Sequence, residues 1–526
     1  MQALHTPQSA ALWLRDRVTG TLTTDSRKVR PGDGFIAWPG AATDGRRFVD
    51  AAVRQGAVAC LVEQDGLADF TFLEASAKAT AAYPNLKAAT GPIASVYFED
   101  PSQAVQVVAI TGTNGKTSTA WWLAHALSSL RQPLSLPCAM VGTLGIGLPK
   151  YEFTDRASAS ASASAFSFDV VSNGLTTPDP VLLQKSLRDF ATQGVKACAI
   201  EASSIGLSEH RLDGTRISVA VFTNFTQDHL DYHGSMAAYW QAKAALFEWP
   251  GLQAAVVNID DNKGRELVVG LAASDRHAAL DVWPVSCIGP ARLQATDITY
   301  DASGMRFSVR EAGSVFDLST RLIGPYNVAN LLCVIGAMRA LGVPMLECAR
   351  ACVALAPVPG RMECLAGAGE PLVVVDFAHT PDALQKTLET LRPLSVARGG
   401  NLWCVFGCGG NRDAAKRPLM GAVVGRLADH VIVTSDNPRD EPAQSIIDQI
   451  MRGLAGHRSL QLQSDRSLAI LSAVLKAERR DVVLVAGKGH EDYQEIGGHK
   501  LPFSDQNHVL AALKKRPLGE KSRGSK

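Results

Sequence analysis

The stretch VVAITGTNGKTSTAWW, Val107 to Trp122, decides how the chain is read. An apolar, β-branched run meets a glycine-rich turn, and Lys116 and Thr117 then open a segment of helical character. Gly112 and Gly115 let backbone N–H groups approach phosphate oxygens, and the helix N-terminus adds its dipole. Lys116 can reach the β- and γ-phosphates of a nucleotide, and the Thr117 hydroxyl can ligate Mg²⁺. The strict pattern GxxxxGK[ST] asks for glycine five positions before Gly115, where Ile110 stands. A bare GK[ST] is a weak signal. TGTNGKTS set between a strand and a helix is a strong one, and it points to a phosphate loop.

The same rhythm runs outward from that loop. Apolar strands are expected at VKACAIEAS (195–203), ISVAVFTNF (217–225) and AAVVNID (254–260). Strands alternating with helical segments predict a mainly parallel, covered sheet. A further block opens near Pro357 with LVVVDFAH (372–379), NLWCVFGCGG (401–410), HVIVTSDNP (430–438) and DVVLVAGKGH (481–490), each with a helix expected to follow. These runs end in polar or glycine-rich turns, where open α/β sheets bind ligands. Before the loop, GFIAW (34–38), VACLVE (58–63) and ASVYFE (94–99) read as short strands. The expectation is an α/β protein of three domains. Residues 1–103 form a small α/β domain. Residues 104–356 form a central phosphate-loop domain with a mostly parallel sheet, and 357–513 form a Rossmann-like α/β domain. The Ala/Ser-rich run 157–167 reads as a flexible surface insertion.

Composition sets the outer bounds. The 526 residues suggest three to four domains, and 46% apolar with 20% charged residues is an ordinary globular balance. Net charge is +1, so no global field points to nucleic acid or anionic membrane. The tail 514–526 carries six basic residues and one acidic, leaving −4 on the rest. It reads as a solvated terminus. The ten cysteines scatter through apolar runs with no CxxC pair, which suits free thiols in a reducing compartment. The first twenty residues lack a basic n-region, and no apolar run approaches the roughly 18 residues of a membrane helix. A cytoplasmic protein without membrane insertion is expected.

A phosphate loop needs partners for its magnesium. Glu201 stands at the end of the strand in CAIEASSIGL, where a Mg²⁺ ligand is required. VFTNFTQDHLDYHG crowds Asn224, Asp228, His229, Asp231 and His233 at another strand end. Lys243, in YWQAKAALF, taken alone reads as a lysine snorkelling from an apolar helix.

Together these segments resemble the Mur ligases, ATP-dependent amide-forming enzymes of peptidoglycan precursor synthesis. The resemblance rests on TGTNGKTS, EASSIGL, NFTQDHLDYHG, AKAALF, GPYNVAN, VPGRME, DFAHTPDAL, FGCGGNRDAAKRP, DNPR and AGKGHEDYQ, in the family's order across residues 20–505. The shortened loop without glycine at 110 is the family's own form. Within the family, the members that add diaminopimelate match best.

The resemblance implies a cytoplasmic ligase, expected as a monomer, acting on UDP-N-acetylmuramoyl dipeptide, meso-diaminopimelate and ATP. It implies two Mg²⁺ ions and CO₂ held as a carbamate on Lys243. Lys116, Lys243 and His229 are the implied catalytic residues, and Thr117, Glu201, His229 and Lys243 the metal-facing ones. ATP would contact Gly112, Thr113, Asn114, Gly115, Lys116, Thr117, Ser118, Asn327, Asn330, Arg361, Asp376 and His379. The UDP-sugar peptide would contact Thr24, Ser26, Ala41, Ala42 and Thr43 on a uridine-binding first domain, with Thr176, Thr177, Ser203, Glu209 and Arg211. Ile205 replaces a histidine and Glu209 a glutamine common in relatives. Diaminopimelate would be read by Arg412, Asp436, Asn437, Pro438, Arg439, Gly487 and Glu491. Its distal carboxylate, which lysine lacks, suits the bidentate fork of an arginine. A lysine-adding Mur ligase and a folylpolyglutamate synthase-like ligase are the alternatives, and DNPR disfavours both.

Overall fold

The computed structural model of the chain describes residues 1–40, 43–151, 166–171, 174–301, 304–365 and 369–516. Three α/β layers follow one another along the chain. The first sheet holds β1 (Gln2–Ala3), β2 (Leu22–Thr23), β3 (Gly34–Ala37), β4 (Ala59–Glu63) and β5 (Thr80–Tyr83), all parallel, in the order β1-β5-β4-β3-β2.

The central sheet has eleven strands: β6 (Gln106–Thr111), β7 (Cys138–Gly142), β8 (Gly145–Tyr151), β9 (Phe166–Val171), β10 (Ala197–Glu201), β11 (Ile217–Phe222), β12 (Ala254–Asn258), β13 (Asp281–Ser286), β14 (Leu293–Asp301), β15 (Gly304–Glu311) and β16 (Ser314–Thr320). Their order is β16-β15-β14-β13-β12-β11-β6-β10-β7-β8-β9. From β14 to β7 the pairing is parallel, and antiparallel strands finish both edges. The period of two explains why both faces are covered. Val108 and Ile110 pack with Trp122, Leu123 and Leu331 on one side. Val107 and Ala109 pack with Leu183, Leu187 and Phe247 on the other.

The third sheet runs β17 (Glu363–Leu365), β18 (Leu372–Asp376), β19 (Leu402–Phe406), β20 (His430–Val433), β21 (Leu460–Leu462) and β22 (Val482–Ala486). Its order is β17-β18-β22-β19-β20-β21, with only β17 antiparallel. The order places the carboxyl ends of β18, β19, β20 and β22 along one edge, which is where both candidate sites of this layer lie. Among the described residues no helix is long and apolar enough to cross a membrane. Of the ten free cysteines eight are buried, Cys287 is partly buried and Cys364 exposed.

The structure corrects three readings. ASVYFE is not a strand: Ala94–Tyr97 finish the helix Leu86–Tyr97. Its β-prone residues continue a buried stripe of Leu86, Thr90, Ile93 and Ala94, and packing of that stripe overrides local propensity. DVVLVAGKGH is followed not by a helix but by the antiparallel ribbon β23 (Tyr493–Ile496) and β24 (His499–Pro502), and the helix Asp505–Lys514 comes after it. Within 157–167, Phe166 and Ser167 belong to strand β9, and 157–165 lie outside the described residues. Of the tail, 517–526 also lie outside them.

Candidate active site

Strand β6 lies between β10 and β11, so the turns after these three strands meet. Those turns are TGTNGK, EASS and NFTQDH. They open on one cavity of about 350 Å³, closed from the third layer by Arg361, Asp376, Phe377, Ala378 and His379. Thr113, Asn114, Gly115, Lys116, Thr117, Ser118, Glu201, His229, Lys243, Asn327 and Asn330 line it as well.

Two glycines of the loop are fixed by contact. Gly112 has φ +143°, and a Cβ there would stand 1.9 Å from Thr223 Oγ1. Gly115 has φ +86°, and its Cβ would stand 2.4 Å from Asn330 Oδ1. Asn330 in turn donates to Asn327 Oδ1 at 3.0 Å, and Asn327 Nδ2 to the Ile323 carbonyl at 2.7 Å. GPYNVAN therefore braces the loop from the side.

The charges in the cavity are poorly neutralised. Lys116 Nζ donates to the carbonyls of Gly112 (2.9 Å) and Thr113 (2.8 Å), and Lys243 Nζ donates to the same Gly112 carbonyl at 2.7 Å. Two lysine side-chain nitrogens thus share one acceptor. Burial pushes the Lys243 amine well below its ordinary range, and Lys116 pushes it further. Burial also lowers Lys116, against the pull of Glu201 and Asp228. Lys243 is 1% exposed, so the reading of a snorkelling surface lysine fails. It comes from the helix Met236–Ala244, and its Nζ sits 4.4 Å from the Tyr239 ring centre, inside the protein.

Glu201 is fully buried. It accepts from Thr117 Oγ1 (2.9 Å), from the Thr143 amide (2.8 Å) and from Thr143 Oγ1 (3.2 Å), and it has no ion-pair partner among the described residues. A buried carboxylate held only by neutral donors is a place for a cation. The described residues contain no group of three or more His, Cys, Asp or Glu that could hold a metal. Mg²⁺ does not need one, since it binds through one or two protein oxygens plus phosphates and water. Thr117 and Glu201 fit that donor set. His229 Nε2 lies 3.5 Å from Asp228 Oδ2. Burial lowers His229 against Asp228, and it raises Asp228, where His229, His379 and Lys416 outweigh it.

Asp376 ties the third layer to the loop. Its oxygens accept from the amides of Met362 (2.7 Å) and Ala378 (2.9 Å). Arg361 is thereby set over the Phe377 ring at 4.0 Å, with Nη2 3.3 Å from Thr117 Oγ1. Asn114 Nδ2 reaches Asp382 Oδ2 at 3.0 Å across the same boundary. Burial drives His379 down to about 4, so it is neutral here.

The remaining expected residues split. Thr176 and Ser203 line the cavity, and Thr177, one layer deeper, binds the Glu201 carbonyl (2.7 Å) and Ser203 Oγ (3.0 Å). Arg211 donates to the Thr177 carbonyl at 3.0 Å. Glu209 bridges Lys87 (2.8 Å) of the first layer and Tyr232. Thr24, Ser26 and Thr43 do not line the cavity. The first domain packs through β2 and the helix Leu86–Tyr97 against the central helix Pro180–Thr192, which Asp179 caps. Ala41 and Ala42 lie outside the described residues.

The last group forms its own cluster beyond β19, β20 and β22. Asn437 Nδ2 donates to Glu491 Oε2 at 2.8 Å, which joins DNPR to AGKGHED. Arg439, at φ +52°, has Nη1 on the Gly410 carbonyl (2.8 Å) and Nε 3.2 Å from Glu495. Arg412 and Arg439 flank Gly409, where a Cβ would lie 3.8 Å and 3.0 Å from their side chains. Gly487 has φ +117°, and a Cβ would meet Asp436 Oδ2 at 2.4 Å. The Asp436 carboxylate accepts from the Asn437 amide, and Pro438 stiffens the same turn. Burial, then Asp436, raises Glu491, against Lys488.

Sequence reasoning passed over Thr143, Trp122, Lys386 and Lys488. Thr143 follows a strand end but carries no motif, and only the pairing of β10 with β7 brings it to Glu201.

Comparison with known proteins agrees with this geometry. Residues 20–110 match the Mur ligase family catalytic domain, 110–338 the Mur ligase middle domain and 360–489 the Mur ligase glutamate ligase domain. A UDP-N-acetylmuramoyl-L-alanyl-D-glutamate–2,6-diaminopimelate ligase of Acidovorax sp. (strain JS42) is 58% identical over 98% of this chain and 99% of its own. The protein of that name from Pseudomonas aeruginosa is 41% identical over 95% and 96%. A solved structure of such a ligase superposes with TM-score 0.60 at 33% identity, covering 94% of both chains. A UDP-N-acetylmuramoylalanyl-D-glutamyl-2,6-diaminopimelate–D-alanyl-D-alanyl ligase from Acinetobacter baumannii shares the fold (TM-score 0.64, 15% identity, 97% and 98% covered).

Proposed function

The chain belongs to the Mur ligase family, and from that premise we propose that it joins meso-diaminopimelate to UDP-N-acetylmuramoyl-L-alanyl-D-glutamate in the cytoplasm, with conversion of ATP to ADP and phosphate. The observation that carries the amino-acid assignment is the joined cluster of Arg439 and Glu491. It offers a fixed cation and a fixed anion to an amino acid whose far end bears both charges.

The reaction runs in two steps. The D-glutamyl side-chain carboxylate attacks the γ-phosphorus of ATP, the bond to the β,γ-bridging oxygen breaks, and an acyl phosphate and ADP result. The amine of diaminopimelate, after losing a proton, attacks the acyl carbon. The tetrahedral intermediate then expels phosphate and leaves the amide. The amide N–H groups of the loop and the helix N-terminus at Lys116 hold the phosphates. Lys116 trades its two carbonyl acceptors for phosphate oxygens and offsets the charge developing there. Arg361, stacked on Phe377 beside Thr117, faces the same oxygens from the third layer. Asn327, Asn330, Asp376 and His379 form the nucleotide side. Thr24, Ser26 and Thr43, with Thr176, Thr177, Ser203, Glu209 and Arg211, hold the UDP-sugar peptide.

Thr117 and Glu201 would hold a first Mg²⁺ and His229 with Lys243 would face a second; bound there, such ions supply charge neutralisation for phosphoryl transfer. A bare Lys243 ammonium would repel a cation. Its depressed basicity leaves a free amine, the form that adds CO₂, and the resulting carbamate would set an anion beside the Lys116 ammonium where a neutral amine had stood. Formate rescue of Lys243→Ala, with no effect of formate on wild type, tests this; absence of rescue overturns it.

The whole reading is tested by ADP release with UDP-muramoyl dipeptide, run in parallel with diaminopimelate and L-lysine. Release is expected only with ATP, dipeptide and diaminopimelate together. Preference for lysine overturns the assignment.

A further inference from the structure

One buried lysine has no part in the chemistry above. Lys488, in the turn after β22, is fully buried. A buried ammonium is costly unless paired and hydrogen-bonded. Its Nζ donates to Glu491 Oε2 at 2.8 Å and to Asn437 Oδ1 at 2.9 Å. Asn437 Nδ2 donates to the same Oε2 at 2.8 Å, and the Glu495 amide donates to Asn437 Oδ1 at 2.9 Å. Three side chains from two strand-end turns therefore form a closed ring. Each bond has one consistent direction. With Lys488 and the Glu495 amide both donating to Oδ1, the Asn437 amide can only turn its NH₂ to Glu491. Both side-chain bonds to Glu491 land on Oε2. Oε1 makes none among the described residues, and the side chain stays 19% exposed.

We propose that Lys488 is the positioning residue for amino-acid selection: it locks Glu491 and Asn437 so that Glu491 presents Oε1 to the distal ammonium of diaminopimelate. This rests on the reading of Asn437, Arg439 and Glu491 as the amino-acid site. Lys488 itself touches no substrate. Its charge matters because Glu491 is half-buried beside a second carboxylate, Asp436. Without a cation in the ring, burial and Asp436 would push the Glu491 carboxyl further up, towards the neutral acid that pairs poorly with an ammonium. Its hydrogen bonds matter because a free carboxyl rotor would spread its charge over several positions.

The test compares diaminopimelate with L-2-aminopimelate, which keeps both carboxylates and the reacting amine but lacks the distal amine. Wild type is expected to prefer diaminopimelate on the order of 100-fold in kcat/KM. Lys488→Met is expected to cut that preference below about fivefold, through the amino-acid KM, with KM for ATP and dipeptide within about twofold of wild type. Lys488→Gln, which can still donate to either partner, keeps the test available should the methionine variant not fold; its preference is expected to fall at least about tenfold. A purely structural lysine would lower both substrates equally, so a folded Lys488 variant with wild-type preference overturns the proposal. Glu491→Gln separates the two readings. It is expected to abolish the preference; if the preference survives in Glu491→Gln, the amino-acid site itself is misassigned.

Discussion

The phosphate cavity and the amino-acid cluster sit at the ends of neighbouring sheets, yet they treat charge in opposite ways. In the cavity, Lys116 and Lys243 share one carbonyl and Glu201 has only hydroxyl and amide partners. In the cluster, Lys488 pairs with Glu491, Arg439 with Glu495 and Arg417 with Glu441, while the fully buried Arg466 binds Asp505 through two bonds of 2.8 and 2.7 Å. The difference follows from what each region receives. Triphosphate and metal bring a large charge of both signs, so the cavity keeps its own charges unpaired until they arrive. Diaminopimelate brings a compact zwitterionic end. A pre-neutralised cluster can receive such an end without holding an uncompensated charge of its own.

The contrast breaks most visibly at Lys116. Lys116→Met is expected to lower kcat by about 10³-fold or more and to leave the melting temperature unchanged or slightly higher, because it removes a buried lysine that has no ion-pair partner among the described residues. A marked fall in melting temperature would show the cavity to be charge-balanced after all. Arg466→Met is the counterpart. It leaves Asp505 buried without a cation, and scanning calorimetry should show the C-terminal transition lowered by about 10 °C, from roughly 3–5 kcal/mol. An unchanged transition would mean that internal pairing contributes nothing there. Arg466 also donates to the Ser435 and Ala486 carbonyls, so amino-acid KM should rise in the same variant.

Arg439→Lys sharpens the comparison on the ligand side. A point charge cannot copy the planar fork, so kcat/KM for diaminopimelate should fall on the order of 100-fold while the trace activity with lysine stays the same. Equal loss for both would remove Arg439 from selection. The last effect is thermal and pH-dependent, and opposing groups offset part of it. Burial lowers His125 and His379 to about 4 and His490 to about 3. The unfolded chain takes up these protons near pH 6.5 and the folded chain does not, so stability is full above pH 6.5 and is lost as pH falls towards 4. The loss is about 2 kcal/mol for each histidine at pH 5. The raised carboxylates of Asp179, Asp376 and Glu491 run the other way and reduce the sum. Melting temperature should fall between pH 7 and 5, and His125→Gln should flatten the slope. A flat profile for wild type would contradict it.

Legibility in the sequence followed the range of the interaction. TGTNGKTS, EASS and NFTQDH announced themselves because each is a strand end with polar residues in a fixed local order. ASVYFE misled because its β-branched and aromatic residues are local evidence, while the helix that claims them is fixed by packing of Leu86, Thr90, Ile93 and Ala94. Lys243 could be promoted only by resemblance, since nothing in YWQAKAALF says that its amine turns inward to Gly112. Thr143 and Lys488 carried no separable signal, because each acts only through a residue distant in the chain or across a turn.

The chain by itself determined the alternation of strand and helix, the phosphate loop, and the residue types gathered at strand ends, because periodicity, glycine conformation and side-chain chemistry are properties of short segments. Strand order belongs to the tertiary structure alone. It places β6 between β10 and β11 and β22 between β18 and β19. That order decides which carboxylates are left unpaired, which lysines are buried and which are held by a partner, because charge in a protein interior depends on what lies within a few ångströms, whatever its distance along the chain.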